Sequence, residues 1–362
     1  MKLKKILKSI GIILAVIVAA FFAFVWFGTY HPASIESMAV ACPEAAPTLQ
    51  AGQSLKVMTW NVQFMAGKNY TFWFDVPNND GPDERPSPAD ITQTFSEVAR
   101  IIKDENPDII MLNEVDNGAA RTDYEDQLAR LKKLIPADYV CSTSTYYWKT
   151  LYVPHPRIHG KMGLTLAILS KYQISAAERH QLALPPNNWL VQQLSIKRAM
   201  LESHLPIQQG GEFVVTATHL DAFAQGSNTM ELQVGQVNQL LASLTKAHIP
   251  FIIGGDFNLL PPEDASYQRL PIQHQPYYNP QSEIKPLYDT YQALPTFEDV
   301  TGANYAKWYT YLPNDPTIPY ADSTLDYFFL SHNITVAEHY VRQDDTQKIS
   351  DHFPMIAIIQ LP

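Results

Sequence analysis

The feature that most constrains this chain is a charge-free run of eighteen residues near its start, at positions 10–27, in which every residue is apolar or glycine. As an α-helix this run would extend about 27 Å, which is close to the thickness of the hydrocarbon layer of a membrane. Four lysines lie among residues 1–9, with no acidic residue. Because positive flanks stay on the cytoplasmic side, we expect residues 1–9 in the cytoplasm and the rest of the chain beyond the membrane.

The main alternative to a membrane anchor at residues 10–28 is a cleaved signal peptide. Signal peptides have an apolar core of about 7–15 residues, followed soon by small residues at the cleavage site. The small-residue triplet at 39–41 lies well beyond the apolar run, and so does Cys42, the residue that a lipid anchor would use. The spacing favours an uncleaved, single-pass anchor in the cytoplasmic membrane, with the following domain on the outer (periplasmic or extracellular) side. A cleaved chain would be secreted.

Residues 29–54 contain scattered proline, serine, alanine and glycine without a sustained period, and we interpret them as a tether. The two cysteines, Cys42 and Cys141, are too few for a disulfide-built small domain or a four-cysteine zinc site. Outside the cytoplasm they could form a disulfide, but two separate free thiols fit the sequence equally well.

The charge of the body disfavours partners that are themselves anionic. Beyond the N-terminal lysines, the chain has 22 basic and 36 acidic side chains, a net charge of −14. Such a body is repelled on average by nucleic acid and by anionic membrane surfaces. A locally positive site for one phosphate group remains compatible with this charge.

From residue 55 onward, predicted strands and helices alternate without an internal repeat or a second apolar span. Ser87-Pro88 provides the serine N-cap and first-turn proline that begin a helix, and Asn106-Pro107 ends it. Apolar residues at helical spacing predict two more helices at 124–134 and 228–246. Short apolar or alternating runs predict strands at 55–62, 108–112, 163–170, 195–202, 212–219, 250–254, 325–330, 335–341 and 355–360. We expect one α/β domain over residues 55–362.

The residues most informative about chemistry are polar side chains placed where predicted strands end. The sequence has no phosphate-binding glycine-rich loop ending in Lys-Ser/Thr, no Gly-x-Ser-x-Gly and no His-Glu-x-x-His. The strand-end residues are Asn61, Glu114, His219, Asp256, Asn258, Asp326, Asp351 and His352. A single asparagine or aspartate in such a place is most often a turn residue. Polar residues recur at the ends of successive predicted strands, and this recurrence favours a functional site, because α/β sheets hold ligands at strand ends.

In this order the motifs resemble those of the endonuclease/exonuclease/phosphatase superfamily, which includes deoxyribonuclease I-like nucleases, inositol-phosphate phosphatases and neutral sphingomyelinases. The resemblance is carried by W-N-V at 60–62, N-E-V at 113–115, T-H-L at 218–220, G-D-F-N at 255–258, L-D-Y at 325–327 and S-D-H at 350–352. G-D-F-N and S-D-H are the more specific motifs. The resemblance implies an α/β fold, a four-layer α/β sandwich in which two packed mixed β-sheets are flanked by helices, here preceded by one N-terminal transmembrane helix.

The resemblance also implies a divalent metal, Mg²⁺ or alternatively Mn²⁺. Hydrolysis of a phosphate ester must neutralise anionic oxygens and stabilise the leaving oxygen, and such metals do both. By resemblance, Glu114 is the main metal ligand, Asn61 helps to hold metal and phosphate, and Asp351 supplies a second metal contact. Carboxylate and amide oxygens are the hard ligands that these metals prefer.

For the chemical step, the resemblance assigns Asp256 to orient or deprotonate the attacking water, with Asn258 beside it on the phosphate. His352 would contact phosphoryl oxygens as an imidazolium that Asp326 holds and charges. His219 would donate to the phosphate or to the leaving group. Which of Asp256 and His352 takes the proton stays open.

Further basic residues are candidates for substrate binding, each with a plainer alternative. Arg198 either binds phosphate or is a solvated cation at a strand edge, and the pattern favours the second interpretation. The densest basic patch of the domain comprises His155, Arg157, His159 and Lys161. This patch is either a substrate-binding loop or a plain exposed loop. Aromatic residues at 70–74 and 146–148 are predicted on exposed loops, where they could stack on a base, hold a lipid tail, touch a bilayer or pack locally.

Together these observations predict a membrane-anchored, divalent-metal-dependent phosphoesterase that hydrolyses lipid headgroups or small phosphate esters by in-line water attack. Residues 162–172 look somewhat like the sphingomyelinase branch. An extracellular nuclease of the same superfamily is the alternative, and the acidic body disfavours it. An inactive binding module on this fold is an alternative of another class, disfavoured because each motif residue has its expected type. We expect a monomer without a protein partner, which contacts its phosphate-ester substrate and, through the N-terminal helix, the membrane.

Overall fold

The computed structural model describes residues 2–222 and 224–362, with the backbone alone for Lys2. In these residues the helices are α1 (Lys2–Gly28), α2 (Pro88–Glu105), α3 (Gln127–Lys132), α4 (Trp189–Leu194), α5 (Thr229–Lys246), α6 (Asp264–Arg269), α7 (Lys285–Thr290) and α8 (Phe297–Thr301). The strands are β1 (Ile35–Ser37), β2 (Val40–Ala41), β3 (Ser54–Asn61), β4 (Ile109–Asp116), β5 (Cys141–Val153), β6 (Gly160–Ser170), β7 (Ala176–Gln181), β8 (Ala199–Pro206), β9 (Glu212–His219), β10 (Phe251–Asp256), β11 (Gln292–Leu294), β12 (Asp326–Leu330), β13 (Thr335–Val341) and β14 (Met355–Gln360).

The strands form two mixed sheets of seven strands each in the described part of the chain. The first sheet has the order β13-β14-β3-β4-β6-β5-β2, and the second has the order β1-β7-β8-β9-β10-β12-β11. Each contains a central parallel pair, β3 with β4 and β9 with β10. These two pairs lie against one another, so the carboxyl ends of four central strands are available to one site.

Three apolar layers hold the sheets and helices together, which confirms the predicted four-layer sandwich. Buried side chains such as Val57 and Val215 fill the space between the two sheets. On the outer face of the first sheet, Phe95 of α2 packs in a cluster with Trp60. On the outer face of the second sheet, α5 packs against the strands in the same way. Full burial of one large apolar side chain contributes about 1.5–3 kcal/mol, so these layers supply the main stabilisation of the fold.

The bounds of α2 follow from its predicted caps. The hydroxyl of Ser87 accepts a hydrogen bond from the backbone N–H of Asp90 at 3.1 Å, and Pro88 occupies the first helical position. Asn106 ends the helix in the left-handed conformation, with φ of 47°. The sequence therefore predicted both ends of this helix correctly, because each end has its own cap.

The N-terminal helix α1 is mostly exposed along its apolar length. Its segment Leu3–Gly28 is long and apolar enough to be a membrane span or a signal sequence, with a mean hydropathy of 2.9 over an 18-residue stretch. It meets the rest of the protein near its C-terminal end. There Val25 is buried, and Thr29 forms a bridge with Thr150 of β5.

Residues 29–54 differ from the expected tether, because part of this segment is built into both sheets. Strand β1 pairs with β7 at the edge of the second sheet, and β2 pairs with β5 at the edge of the first. Cys42 follows β2 and forms a disulfide with Cys141 at the start of β5. Strands of two and three residues are too short to show an alternating period, so the sequence pattern did not indicate them.

Other differences also involve short elements. The predicted helix at 124–134 shrinks to α3, because the side chain of Asp126 caps the N–H of Ala129 at 2.9 Å. Residues 146–148 lie within the long strand β5, where Tyr147 is fully buried, and not on an exposed loop. The strand predicted at 195–202 begins only at Ala199, after helix α4 has ended at Leu194. The proline- and tyrosine-rich stretch 260–308 contains several helices of five or six residues.

Candidate active site

The predicted catalytic residues come together at one edge of the two sheets. Asn61 ends β3, His219 ends β9 and Asp256 ends β10. Asp326 begins β12, which runs antiparallel to β10, so Asp326 pairs directly with Asp256. His219 pairs with Asp256 from the other side, on the parallel strand β9. The register of the sheet therefore places these three ionisable side chains next to one another.

Gly255 permits this close approach of β9 and β10. Its φ is +147°, and a Cβ at this position would lie 1.9 Å from the carbonyl oxygen of Thr218. A side chain here would push the two strands apart and separate His219 from Asp256. The glycine of the G-D-F-N motif is thus required by the backbone geometry of the site.

Glu114 reaches the same edge through a bulge in β4. The pairing of β4 with β6 shifts in register between Leu112 and Val115, and Glu114 has φ of 58°, in the left-handed region. A bulge turns a side chain away from the regular alternation of a strand. Oε1 of Glu114 accepts a hydrogen bond from Nδ2 of Asn61 at 3.2 Å, and the same nitrogen lies 3.1 Å from Oδ2 of Asp256. Asn61 therefore links Glu114 to Asp256.

His352 is held between two buried carboxylates. Its Nδ1 donates to Oδ2 of Asp326 at 2.7 Å, and its Nε2 lies 3.5 Å from Oδ2 of Asp256. The carbonyl oxygen of His352 accepts from the indole N–H of Trp60 at 2.8 Å. The hydroxyl of Thr310 accepts the backbone N–H of Asp326 at 3.0 Å. The ring is thus fixed through its side chain and its backbone.

Burial and these close charges set the protonation of the array. Burial disfavours a charged imidazole, but the carboxylates of Asp326 and Asp256 outweigh this effect and raise the pKa of His352 to about 10. Burial also raises the pKa of Asp256 to about 7, against the opposing charge of His352 and with a further contribution from Asp326. At neutral pH His352 is therefore an imidazolium, and Asp256 can gain or lose a proton.

His219 contacts Asp256 from the opposite side and is neutral. Its Nε2 lies 3.3 Å from Oδ2 of Asp256, and its Nδ1 lies 3.4 Å from the hydroxyl of Tyr147. Burial lowers the pKa of His219 well below its usual value, and the positive charges of Arg198 and His352 lower it further. Burial raises the pKa of the Tyr147 hydroxyl, which keeps its proton. The fitting tautomer receives that proton at Nδ1 and donates from Nε2.

Asn258 and Asp351 lie beside the array. The backbone N–H of Asn258 donates to Oδ1 of Asp256 at 2.9 Å, and its side-chain Nδ2 donates to the carbonyl oxygen of Leu220 at 3.1 Å. Asn258 therefore orients Asp256 in this structure. Asp351 accepts from the hydroxyl of Ser350 at 3.2 Å, and the same hydroxyl donates to the backbone of Asn61. This contact joins the S-D-H motif to the end of β3.

Arg198 corrects the interpretation that the sequence favoured, because it is not a solvated edge cation. Its side chain is only 3% exposed, and its Nε and Nη1 have no hydrogen-bond partner. The guanidinium lies 5.4 Å from the ring centre of Tyr147. It sits immediately before β8, on the wall of a cleft that also contains Glu114. A buried guanidinium with free N–H groups is well suited to bind an anionic group.

The cleft has a volume of about 500 Å³ and is lined largely by apolar and aromatic side chains. These apolar residues include Phe64, Trp73, Phe74, Tyr124, Trp148, Ile158, Met162, Leu164 and Ile196. Arg157 and His159 of the basic patch line it as well, and Arg157 forms an ion pair with Glu84 at 3.3 Å. His155 stacks on the Trp73 ring at 4.5 Å between centres. The basic patch therefore borders the cleft instead of forming a separate loop.

The comparison with known families agrees with this geometry. The sequence profile of the Endonuclease/Exonuclease/phosphatase family matches residues 58–352, a span that contains each of the strand-end motifs. The chain belongs to the endonuclease/exonuclease/phosphatase family. No curated protein matches it at a significant level.

Solved structures of this family share the fold of the chain. An endonuclease/exonuclease/phosphatase from Beutenbergia cavernae DSM 12333 has a TM-score of 0.56 and 22% identity, over 85% of this chain and 72% of that one. TDP2 from C. elegans has a TM-score of 0.51 and 17% identity, over 86% of this chain and 76% of that one. An endonuclease/exonuclease/phosphatase family protein from Bacteroides thetaiotaomicron has a TM-score of 0.50 and 16% identity, over 86% of this chain and 99% of that one. At these identities the likeness establishes the fold.

Endonuclease/exonuclease/phosphatase enzymes typically depend on a divalent metal, and the residues around Glu114 fit one. Burial raises the pKa of Glu114, and the nearby carboxylate of Asp351 raises it further. Two carboxylates placed in this way repel one another, and a bound cation removes that repulsion. The two carboxylates are hard oxygen donors of the kind that Mg²⁺ and Mn²⁺ prefer. Asn61 presents Nδ2 to Glu114, and its Oδ1 accepts the backbone N–H of Gln63 at 3.0 Å, so in this structure its amide oxygen does not join that donor set.

A second group with metal-ligand atoms consists of Asp256, Asp326 and His352, whose nearest donor atoms lie within 4.8 Å of one another. In this group Nδ1 of His352 is already bonded to Asp326. Oδ2 of Asp256 faces nitrogen atoms of Asn61, His219 and His352. We therefore interpret this group as a chain of hydrogen bonds.

Arg121, which lines the cleft, and Asp75 were not assigned from the sequence, and Tyr147 was expected on an exposed loop and not beside His219. Arg121 contacts Asp116 through Nε and Nη2, both at 2.9 Å, and its guanidinium lies 3.4 Å from the ring centre of Phe64. Tyr147 contacts His219, as described above. Burial and the Asp351 carboxylate raise the pKa of Asp75 to about 8. These residues come from loops or mid-strand positions, so no strand-end motif indicated them.

Proposed function

We propose that this protein is a membrane-anchored, divalent-metal-dependent phosphoesterase that cleaves phosphodiester bonds of lipid headgroups or small phosphate esters. The observation that carries the proposal is the convergence of three nitrogen atoms on one oxygen, Oδ2 of Asp256. Nδ2 of Asn61, Nε2 of His219 and Nε2 of His352 lie 3.1, 3.3 and 3.5 Å from it. A positioned base surrounded by donors for anionic oxygens is what hydrolysis of a phosphate ester requires.

Asp256 is the residue that we assign to accept the proton of the attacking water. His352 already holds a proton between the carboxylates of Asp326 and Asp256, so it acts as a donor to phosphoryl oxygens and not as the base. Asp326 keeps Nδ1 of His352 occupied and therefore leaves Nε2 directed toward the reacting group. The proton held by His352 supports Asp256 as the base, a choice that the motifs alone left open.

The remaining site residues bind and orient the phosphate. Arg198 offers two unpaired N–H positions, a geometry that matches two oxygens of a phosphate. Neutral His219 donates from Nε2 to the phosphate or to the leaving oxygen. A Mg²⁺ or Mn²⁺ ion held by Glu114, with Asp351, would neutralise the charge of the phosphoryl group and polarise its bonds.

The proposed location on the outer side of the cytoplasmic membrane has two supports. Helix α1 has the length and apolar character of a span, and its lysines precede the apolar run. The disulfide between Cys42 and Cys141 is typical of oxidising compartments and rare in the cytosol. Both observations favour a body that lies beyond the membrane.

The apolar walls of the cleft and the net charge of the body favour a lipid headgroup over nucleic acid. The cleft walls are mostly apolar and aromatic, and the body has a net charge of −14. A nuclease needs cations along an extended strand, which this body offers poorly. The competing nuclease function is favoured by the aromatic residues Trp73 and Trp148, on which bases could stack.

The test is a substrate panel with the full chain in phosphatidylcholine nanodiscs, with Mg²⁺ or with a chelator. The panel contains sphingomyelin, other phospholipids, single- and double-stranded DNA, RNA and nucleotides. We expect Mg²⁺-dependent cleavage of a lipid or small ester, which Asp256→Asn abolishes. The control Asp289→Asn removes a carboxylate that is 58% exposed in an ion pair with Lys285, and it should retain activity. Cleavage of nucleic acid alone would identify a nuclease, and no hydrolysis of any substrate would identify a binding module.

A further inference from the structure

An exposed apolar surface lies beside the C-terminal end of α1, and catalysis does not account for it. Trp189, Leu190 and Val191 of α4 are 42%, 37% and 42% exposed. Leu151 and Tyr152, near the end of β5, are 57% and 41% exposed. We call these five residues the α4 surface.

The sequence around α4 also differs from that of an ordinary solvated helix. The fifteen residues at 182–196 carry no charged side chain, although 17% of the residues in the chain are charged. A helix that faces water usually carries charged or polar residues on its outer face. Large apolar residues in contiguous exposed positions are instead typical of contacts with a partner or a membrane.

Contacts with α1 fix the level of the α4 surface along the proposed membrane span. The rings of Phe22 and Trp189 lie 5.3 Å apart, and Gly28 lies against Leu151. Phe22 precedes Gly28 by six residues, which is about 9 Å along a helix. If the apolar run of α1 ends at the membrane boundary, Trp189 lies about 9 Å inside it. Interfacial apolar elements enter a bilayer by about 5–10 Å, and tryptophan and tyrosine are enriched there.

We propose that the α4 surface enters the outer leaflet of the bilayer and holds the mouth of the cleft against the lipid. This inference rests on the membrane anchor in the proposed function. The wall of the cleft continues from α4, because Ile196 and Arg198 follow it directly and both line the cleft. The indole N–H of Trp148, another lining residue, donates to the carbonyl oxygen of Leu194 at 2.8 Å. A phosphate headgroup can therefore reach Arg198 while its acyl chains stay in the leaflet.

The test places a fluorescent probe at single introduced cysteines, since both native cysteines are in the disulfide. The variants are Leu190→Cys on the α4 surface, Phe24→Cys on α1 and Ile272→Cys as the control. Ile272 is a matched apolar residue that is 76% exposed and follows α6. The full chain is reconstituted in phosphatidylcholine vesicles that contain spin-labelled lipid, which quenches probes inside the leaflet. We expect quenching at positions 190 and 24 that exceeds quenching at 272 by about twofold or more.

The outcomes separate this inference from the anchor on which it rests. Quenching at position 24 with none at position 190 would overturn the inference and leave the anchor standing. No quenching at either position would reject the anchor, and the inference with it. Equal quenching at 190 and 272 would indicate non-specific adsorption and overturn the inference. Energy transfer between probes at 190 on two copies, without lipid quenching, would assign the surface to a second copy and overturn the inference as well.

Discussion

The pair formed by Asp326 and His352 allows a direct test of the electrostatics of the site. The change Asp326→Asn keeps the shape of the side chain and removes a charge that lies 2.7 Å from Nδ1 of His352. A close opposite charge shifts a pKa by about 1–3, and the carboxylates of Asp256 and Asp351 remain after the change. We therefore expect the pKa of His352 to fall from about 10 to roughly 7–9.

The direction of the activity change follows from the sign of this shift. In the parent, His352 keeps its proton below pH about 10, so activity that needs the imidazolium persists through mildly alkaline pH. In Asp326→Asn the imidazolium of His352 loses its proton at lower pH, so the alkaline fall of activity also moves to lower pH. If the pKa falls from about 10 to about 8, the protonated fraction at pH 9 drops about tenfold.

The assay is the pH dependence of kcat/KM on one soluble phosphodiester, which reports groups of the free enzyme. An NMR titration of the His352 ring measures the pKa independently. The control is Asp289→Asn, whose exposed carboxylate pairs with Lys285, and its profile should match that of the parent. Superimposable alkaline limbs for the parent and Asp326→Asn, with an unchanged His352 pKa, would refute the coupling of the two residues.

Three further changes test other parts of the account. Arg198→Ala should lower kcat/KM by about ten- to a hundredfold through loss of a charged hydrogen-bond donor, and Arg198→Lys should recover part of this loss. Equal kcat/KM values in the parent and both variants would contradict a phosphate contact. Glu114→Ala should abolish measurable Mn²⁺ binding in calorimetry while the protein stays folded, and an unchanged isotherm would remove Glu114 from the metal site. Joint replacement of Cys42 and Cys141 by serine should lower the free energy of unfolding by about 4 kcal/mol, because the disulfide joins residues separated by 99 positions. Urea unfolding measures this loss, and an unshifted midpoint would count against it.

The core of the candidate site could be predicted from the sequence because a sheet converts strand ends into neighbours. His219 and Asp256 each end a strand with a clear apolar pattern, so their proximity follows from the pairing of β9 with β10. Asn61 ends β3 of the other sheet and reaches them because the two sheets pack face to face. Asp326 joins them because an antiparallel strand begins where its neighbour ends. The alternation of strands with helices such as α2 indicated an α/β domain, whereas the four-layer sandwich was implied by the resemblance of the strand-end motifs to the family.

The rest of the site depends on contacts that no local pattern indicates. Arg198 is buried with its guanidinium 5.4 Å from the ring centre of Tyr147, a contact between segments that lie far apart in the sequence. The bulge at Glu114 depends on the pairing of β4 with β6. The segment at 29–54 joins both sheets through strands too short to have a period, and its disulfide closes only when β2 and β5 are paired. These features need the tertiary structure because their causes lie far apart in the sequence.

The central claim is that Asp256 activates a water molecule that attacks phosphorus. The most direct measurement is one turnover of the full chain on a phosphodiester in water labelled with heavy oxygen, followed by mass analysis of both products. The account predicts one labelled oxygen on the phosphorylated product, none on the alcohol, and almost no product with Asp256→Asn. Label on the alcohol, or labelled product formed by Asp256→Asn at the parental rate, would contradict it.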